Sequence, residues 1–309
     1  MKRRAWIALA EASLVLAWAG CTQQDLEPPP RQAEPPPDPD FRPPAGFEKL
    51  TLSTTPYLDP EKLNESLQPL ASYLSRYLHV PVEVVRANSY AHVGTLMKEG
   101  QVDLGSFSPL SYVRAKENDP GLIPLVNFIS DGSATSAGYI VVKESSPFQT
   151  LEDLKGHSFA FVDPDSTTGY LYAVALMRSR NIDEKTWFSR TEFTGNHEAS
   201  LQAVYDGRVD AAAIYQGALP ALYRNKGIDP LSFRIIAKTR RTPKDLFCVR
   251  SGLPKEVVTQ IRRAFLALTV RTEEGRRVLS PLNVNGFTQV DEEAYTEVRE
   301  VNAQFAGKK

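Results

Sequence analysis

Between residues 49 and 237, strand-like and helix-like segments alternate with few interruptions, which constrains the fold more than any other feature of the chain. Residues 49–54, 82–86, 102–107, 122–127 and 139–143 read as strands. Among them, residues 61–78 place Leu63, Leu67, Leu70, Leu74 and Leu78 on one helical face, with Pro69 an awkward interior residue. Residues 89–98 form a second helix closed by Gly100, and 109–116 a third. A second series follows: strands at 159–162, 190–193, 209–214 and 233–237, with helices at 170–180, 197–205 and 217–225. A strand at 247–250 precedes helical stretches at 255–269, 273–279 and 292–305. The pattern predicts an α/β protein with a largely parallel sheet.

A short internal repeat divides this pattern in two. The run from Leu96 to Gly105 and the run from Val204 to Ala212 share a layout: a helix end, a glycine, one polar residue, then Val-Asp and a strand. The strands lead into polar or aromatic loops, Ser106-Phe107-Ser108-Pro109 and Tyr215-Gln216-Gly217. Two such units predict two lobes, with the C-terminal ends of their strands facing a cleft.

The N-terminus carries an address. Lys2, Arg3 and Arg4 precede an apolar run at 5–19, which ends in Ala19-Gly20-Cys21. A basic start, a short apolar core and small residues before a cut make a secretory signal at residues 1–20. The run is short, and Glu11 interrupts it, so it makes a poor membrane span. Small residues directly before a cysteine are similar to a bacterial lipobox, in which Cys21 is lipidated; Trp18 and Glu11 depart from that pattern. A plain signal peptide, or a short anchor left uncut, are the alternatives. Residues 21–46 are rich in proline, glutamine and acids, and are expected to be a disordered tether that holds the globular part off a membrane. The net charge of the 309 residues is −1, which gives no nucleic-acid footprint. The two cysteines, Cys21 and Cys248, make no disulfide framework.

Chemistry concentrates in Phe159-Ala160-Phe161-Val162-Asp163-Pro164-Asp165-Ser166-Thr167-Thr168-Gly169-Tyr170. A strand stops at Asp-Pro, hydroxyl residues follow, and a helix begins, with Ser166 or Thr167 placed to cap it. Free backbone N–H groups and hydroxyls at the positive end of a helix dipole suit an oxyanion. An ordinary capped helix start reads the same way from this stretch alone.

The order and spacing of several motifs carry a resemblance. Residues 102–113 (Val-Asp-Leu-Gly-Ser-Phe-Ser-Pro-Leu-Ser-Tyr-Val), residues 163–171, Gly195-Asn196-His197-Glu198-Ala199-Ser200-Leu201, and Gly207-Arg208-Val209-Asp210-Ala211-Ala212-Ala213 together resemble the periplasmic solute-binding proteins for phosphate, phosphite and phosphonates, the receptors of ABC importers. The resemblance spans roughly residues 47–285. It implies a type II periplasmic-binding fold, with two α/β lobes joined by two hinge strands and the ligand between them. Lobe 1 is expected at 47–138 and 239–309 and lobe 2 at 139–238, with the crossovers near residues 139–142 and 236–239.

The resemblance also implies a site. The oxyanion would rest on Ser166, Thr167 and Thr168, with His197 as a proton donor. Phe107 and Ser108 would close from the other lobe, with Tyr57, Tyr90 and Tyr215 as walls; a tyrosine satisfied in the core is the plainer reading of Tyr90. Relatives that read aminophosphonates need a carboxylate at the far end of the pocket, because a buried ammonium must be paired. The loop after residues 209–214 offers only Tyr215-Gln216-Gly217 there. A small tetrahedral phosphorus oxyanion is therefore expected to bind at least about tenfold more tightly than 2-aminoethylphosphonate, by the cost of an unpaired buried charge, unless Asp59, Asp131 or Asp245 reaches the pocket.

The partners implied are a small oxyanion, an ABC permease and a membrane through the lipid anchor, in the periplasm or cell envelope, with no cofactor. Two rival readings remain. Ser166, His197 and one of Asp163, Asp165 or Glu198 can be written as a hydrolase triad, but no Gly-x-Ser-x-Gly elbow surrounds the serine. His79, His92, His157 and His197 lack metal-ligand spacing. An anion-sensing lipoprotein that signals to a partner would share the same fold and pocket.

Overall fold

The two Val-Asp repeats occupy equivalent positions in two separate sheets. In the computed structural model, which describes residues 35–306, the chain runs through β1 (Leu50–Thr54), α1 (Pro60–Leu78), β2 (Val82–Val84), α2 (Tyr90–Lys98), β3 (Leu104–Phe107), α3 (Pro109–Asn118) and β4 (Ile123–Ile129). It crosses into β5 (Thr135–Lys143), β6 (Ser158–Phe161), α4 (Tyr172–Ser179), β7 (Arg190–Phe193), α5 (His197–Tyr205), β8 (Ala211–Tyr215), α6 (Ala218–Lys226) and β9 (Phe233–Pro243). It then returns as β10 (Leu246–Val249), α7 (Lys255–Ala267), α8 (Glu273–Leu279), β11 (Gly286–Thr288) and α9 (Thr296–Ala306). The signal segment and Cys21 lie outside the described residues.

Lobe 1 is a sheet in the order β11-β4-β10-β3-β1-β2, and lobe 2 a sheet in the order β7-β6-β8-β5-β9. Each lobe uses one lock. In lobe 1, Asp103 Oδ2 accepts from Thr51 N (2.8 Å) and Thr51 Oγ1 (2.9 Å), while Asp103 N donates to Thr51 Oγ1 (3.0 Å). In lobe 2, Asp210 Oδ2 accepts from Ser158 N (2.8 Å) and Ser158 Oγ (2.6 Å), while Asp210 N donates to Ser158 Oγ (3.0 Å). The aspartate of each repeat thus ties the loop before one parallel strand to the start of its neighbour. The similarity read over a few residues is a shared structural device.

Both sheets are mixed, which corrects the expectation of a largely parallel sheet. β1 pairs in parallel with β2 and β3, and β6 with β7 and β8. β10 runs antiparallel to β3 and β4, and β5 antiparallel to β8 and β9. The antiparallel members adjoin the two crossovers, where the chain leaves one lobe and comes back.

Those crossovers lie outside the expected positions. β5 and β9 pair from Thr135↔Pro243 to Lys143↔Phe233, all within lobe 2. The chain therefore changes lobe between Ile129 and Thr135, and again between Pro243 and Leu246. The strand read from the sequence ends at 237, yet β9 continues to Pro243 as an edge strand and turns Lys238, Arg240 and Arg241 to solvent. Gly138 marks a register shift within β5.

Apolar side chains cover both faces of both sheets, which is why strands such as β1 are buried along their whole length. α9 spans the lobes: Phe305 packs against the α3 side of lobe 1 and the α4 side of lobe 2, where Arg178 lies 4.4 Å over its ring. The expected tether is shorter at its C-terminal end. Asp38 N donates to Gln260 Oε1 (3.0 Å), Gln260 Nε2 donates to Asp38 O (2.7 Å), and Phe41 packs on the lobe 1 core.

Candidate functional site

Strands that run parallel deliver helix starts to one side of a sheet, and here the starts from both lobes meet. Tyr90 opens α2, Ser108 caps α3, Ser166 to Thr168 form the turn before α4, His197 opens α5 and Gly217 precedes α6; all of them line one cavity between the lobes. The cavity encloses about 770 Å³ of atom-free space, part of it open to solvent.

Local chemistry fixes each start. Asp163 Oδ1 accepts from Asp165 N (2.8 Å), and Ser166 N donates to Asp163 O (2.9 Å), which turns the chain sharply after β6. Ser166 Oγ caps the next turn by accepting from Gly169 N (3.1 Å). Residues Thr167–Leu171 wind as a π turn, a wider geometry that recurs at functional sites. Gly169 is required there, since a Cβ would lie 2.5 Å from Val162 and 2.9 Å from the Ser166 hydroxyl. Beneath the loop, a Cβ on Gly138 would meet Thr168 O at 2.9 Å.

Ser166 and Thr167 accept hydrogen bonds from protein and keep a proton to donate. Thr167 Oγ1 accepts from Leu110 N across the cleft (2.8 Å), and the buried Thr168 hydroxyl makes no hydrogen bond to a described residue. His197 is buried, and its Nδ1 accepts from Tyr215 N (3.1 Å), so Nε2 carries the hydrogen of the neutral ring. Burial holds the ring neutral by pulling its pKa down to about 3. Its ring packs edge-on against Tyr215 at 4.8 Å. Three hydroxyls, an imidazole N–H and several helix starts form a donor-rich surface suited to an anion.

Of the residues expected at the site, Tyr57, Tyr90, Ser108, Ser166, Thr167, Thr168, His197 and Tyr215 all line the cavity. Phe107 does not. Its side chain is buried in the lobe 1 core, because β3 alternates its faces and Phe107 points at α2 and α3 while Ser108 reaches the cleft. Ser108 has a further duty: its hydroxyl donates to Asp165 O of the other lobe (3.0 Å). The Tyr90 hydroxyl, nearly wholly buried, lies beside Ser166 without a hydrogen bond of good geometry.

The lining of the cavity differs from the expectation of no acid. Asp131 and Asp245 line it, while Asp59 caps α1 by accepting from Glu61 N and Lys62 N. Lys244, Ser130, Ser136 and Thr242 join them. Lys244 Nζ donates to Ser130 O (2.6 Å) and to Ser130 Oγ, so one ammonium ties the two crossovers together. Burial lowers its pKa to about 8. Ser130, Ser136, Thr242 and Lys244 sit at or next to the crossovers, and placing the crossovers mid-strand hides them in the sequence, whereas Asp131 and Asp245 are two of the acids named above as able to reach the pocket.

The lobes touch around the cavity. Besides the Ser108 and Thr167 bonds, His197 N donates to Tyr57 O (3.2 Å), and Arg114 of α3 pairs with Asp165 and donates to Pro164 O (3.0 Å).

Residues 52–295 match the family described as "ABC transporter, phosphonate, periplasmic substrate-binding protein". The chain is 28% identical over 270 residues to the phosphate-import protein PhnD of Mycolicibacterium smegmatis, covering 84% of this chain and 80% of that protein. It is 22% identical over 269 residues to the probable ABC transporter phosphite binding protein PhnD1 of Prochlorococcus marinus, covering 83% and 89%. The solved structure of PhnD1 from Prochlorococcus marinus in complex with methylphosphonate superposes with a TM-score of 0.78 at 19% identity, over 84% of this chain and 98% of that one. The architecture is that of type II periplasmic binding proteins.

Proposed function

The chain belongs to the phosphonate family of periplasmic substrate-binding proteins of ABC transporters, and from that premise we propose that it captures a small tetrahedral phosphorus oxyanion and hands it to an importer's permease. The ligand classes are phosphate, phosphite and short alkylphosphonates. One observation carries this reading: Ser166, Thr167, Thr168 and the Nε2–H of His197 face a single cavity with protons to donate. Two or three such bonds to an oxyanion, at about 1.5–3 kcal/mol each for charged acceptors, supply much of a useful affinity. The oxyanion loop belongs to lobe 2 and Tyr57, Tyr90 and Ser108 to lobe 1, so a ligand between them favours contact of the lobes.

Calorimetric titration with phosphate, phosphite, methylphosphonate and 2-aminoethylphosphonate tests the reading. Saturable binding of at least one phosphorus oxyanion is expected, without turnover of phosphate esters. Absence of binding by all four would sink it. The expected disfavour of the aminophosphonate loses its original ground, because Asp131 and Asp245 do line the cavity; the titration measures that preference directly.

The reading includes a lipid anchor at Cys21, supported by the small residues Ala19 and Gly20 before it and the proline-rich segment after it. Cys21→Ser is expected to move the mature protein from the membrane to the soluble fraction of fractionated cells. Retention in the membrane would point to an uncut apolar segment.

A further inference from the structure

Asp245 is a carboxylate in a cavity whose other features suit an anion. It follows Lys244 in the return crossover and shares the cavity with the phenols Tyr57, Tyr90 and Tyr215. Its carboxylate makes no hydrogen bond to a described residue. Its field reaches all three phenols, and the hydroxyl of one of them, Tyr90, lies beside Ser166 of the oxyanion loop. The charged and titratable groups around it are therefore Lys244 on its own segment, Asp131 from the other crossover, the three tyrosines of the cavity, Tyr295 from the segment before α9, and His197 packed on Tyr215. Three further hydroxyls line the cavity on buried residues, Tyr90, Ser136 and Thr242: that of Tyr90 lies beside Ser166 and that of Thr242 beside Tyr172, and none makes a hydrogen bond of good geometry to a described residue.

We propose that Asp245 is a ligand-binding residue that shares one proton with the bound oxyanion. The inference rests on the function proposed above. A dianion entering beside a carboxylate meets a like charge, and the one ammonium at hand, Lys244, is already held by Ser130. One proton between the two removes the repulsion and creates a short O–H···O bond. The proton comes from solvent and sits on either the carboxyl or the P–O oxygen, hydrogen-bonded to the other; no bond to phosphorus changes. Both parties are poised to hold it. Burial raises the Asp245 carboxyl to about 7, against the pull of Lys244, and the second ionisation of a phosphate monoester lies near pH ~6. The consequence is a pH-dependent capture: above neutrality, binding must draw a proton, and affinity falls as protons become scarce.

The test is calorimetric titration of the full chain with methylphosphonate at pH 6, 7, 8 and 9, in paired buffers of different ionisation enthalpy. Proton uptake approaching one per ligand is expected at pH 8 and above, with affinity falling about tenfold between pH 8 and 9 by linkage. In Asp245→Asn, the amide replaces the carboxyl as a donor, so uptake should drop close to zero and the pH slope should flatten. The wild-type uptake stands alone as a test if the variant fails to fold. Methylphosphonate binding without uptake overturns the inference and leaves the proposed function intact. Uptake that persists in Asp245→Asn moves the proton to His197 and also overturns it. So does a preference for 2-aminoethylphosphonate that Asp245→Asn abolishes, since Asp245 would then pair with an ammonium. Failure of every phosphorus oxyanion to bind defeats the functional reading itself.

Discussion

Single residues divide the site into groups that hold the fold and groups left to hold a ligand. Thr167 does both, because its hydroxyl accepts Leu110 N across the cleft. Thr168 is the cleaner probe: it is buried, lines the cavity and its hydroxyl has no hydrogen bond to a described residue. Thr168→Ala is expected to weaken methylphosphonate binding about 10- to 100-fold, from a charged hydrogen bond of about 1.5–3 kcal/mol at ~1.4 kcal/mol per tenfold. The melting temperature without ligand should barely move, and an unchanged Kd in calorimetry would remove Thr168 from the anion site. The hydroxyl run and His197 were legible in the sequence, because helix capping and a motif's spacing are local properties. Ser136, Thr242 and Lys244 carried no pocket assignment, and Asp131 and Asp245 stood only as acids able to reach it. Each comes from a crossover or a strand end next to one, and only the register of β5 on β9 brings them to it. Phe107 failed for a related reason: one step along a strand turns a side chain to the opposite face.

Among the elements, the two aspartate locks offer an internal control. Both tie a parallel strand to its neighbour by the same three hydrogen bonds, but their surroundings differ. Asp103 is buried and also accepts from Arg250 Nε (2.7 Å), whereas Asp210 is part-exposed and has only His157 nearby at 3.7 Å. Removing a buried charged partner strands the groups left behind, at about 3–5 kcal/mol, while an exposed site lets water replace the lost bonds. Asp103→Ala is therefore expected to destabilise by about 3–5 kcal/mol and Asp210→Ala by about 1–2 kcal/mol, read from urea unfolding midpoints. Equal losses would mean the Arg250 pair adds nothing. Most elements were readable from periodicity alone: the face of α1 built on Leu63, Leu67, Leu70 and Leu74 survives Pro69 inside the helix. β11 was missed, since three residues beginning with a glycine carry no strand signal and pair only because β4 presents an edge. Strand direction was also out of reach, since pattern shows a strand but not the way it runs.

At the scale of the molecule, the contact between lobes is set by polar groups at the rim of the cavity and by α9. Arg114 is central to it. Its guanidinium pairs with Asp165 beside the proposed oxyanion loop, donates to Pro164 O, and reaches Asn302 Oδ1 of α9 through Nε (3.2 Å) and Nη2 (3.0 Å). Asp165 is one residue before Ser166, so the lobe-to-lobe pair and the proposed anion donors share one loop. With side chains 35% and 16% exposed, the pair ranks between an exposed salt bridge at ~0–1 kcal/mol and a sheltered charged bond at about 1.5–3 kcal/mol. A contribution of about 1–2 kcal/mol corresponds to a shift of roughly 5- to 30-fold in the ratio of open to closed forms. Arg114→Ala should therefore enlarge the radius of gyration of the ligand-free protein in small-angle scattering, and saturating methylphosphonate should restore the wild-type value. Affinity should weaken by the fraction of closed form lost, since only that form presents Tyr57, Tyr90 and Ser108 to the ligand. High salt should expand the wild type toward the variant and leave the variant unchanged, because the Debye length contracts to about 3 Å at 1 M. A variant as compact as the wild type at low salt would assign closure to the neutral bonds at Ser108, Leu110 and Tyr57 instead.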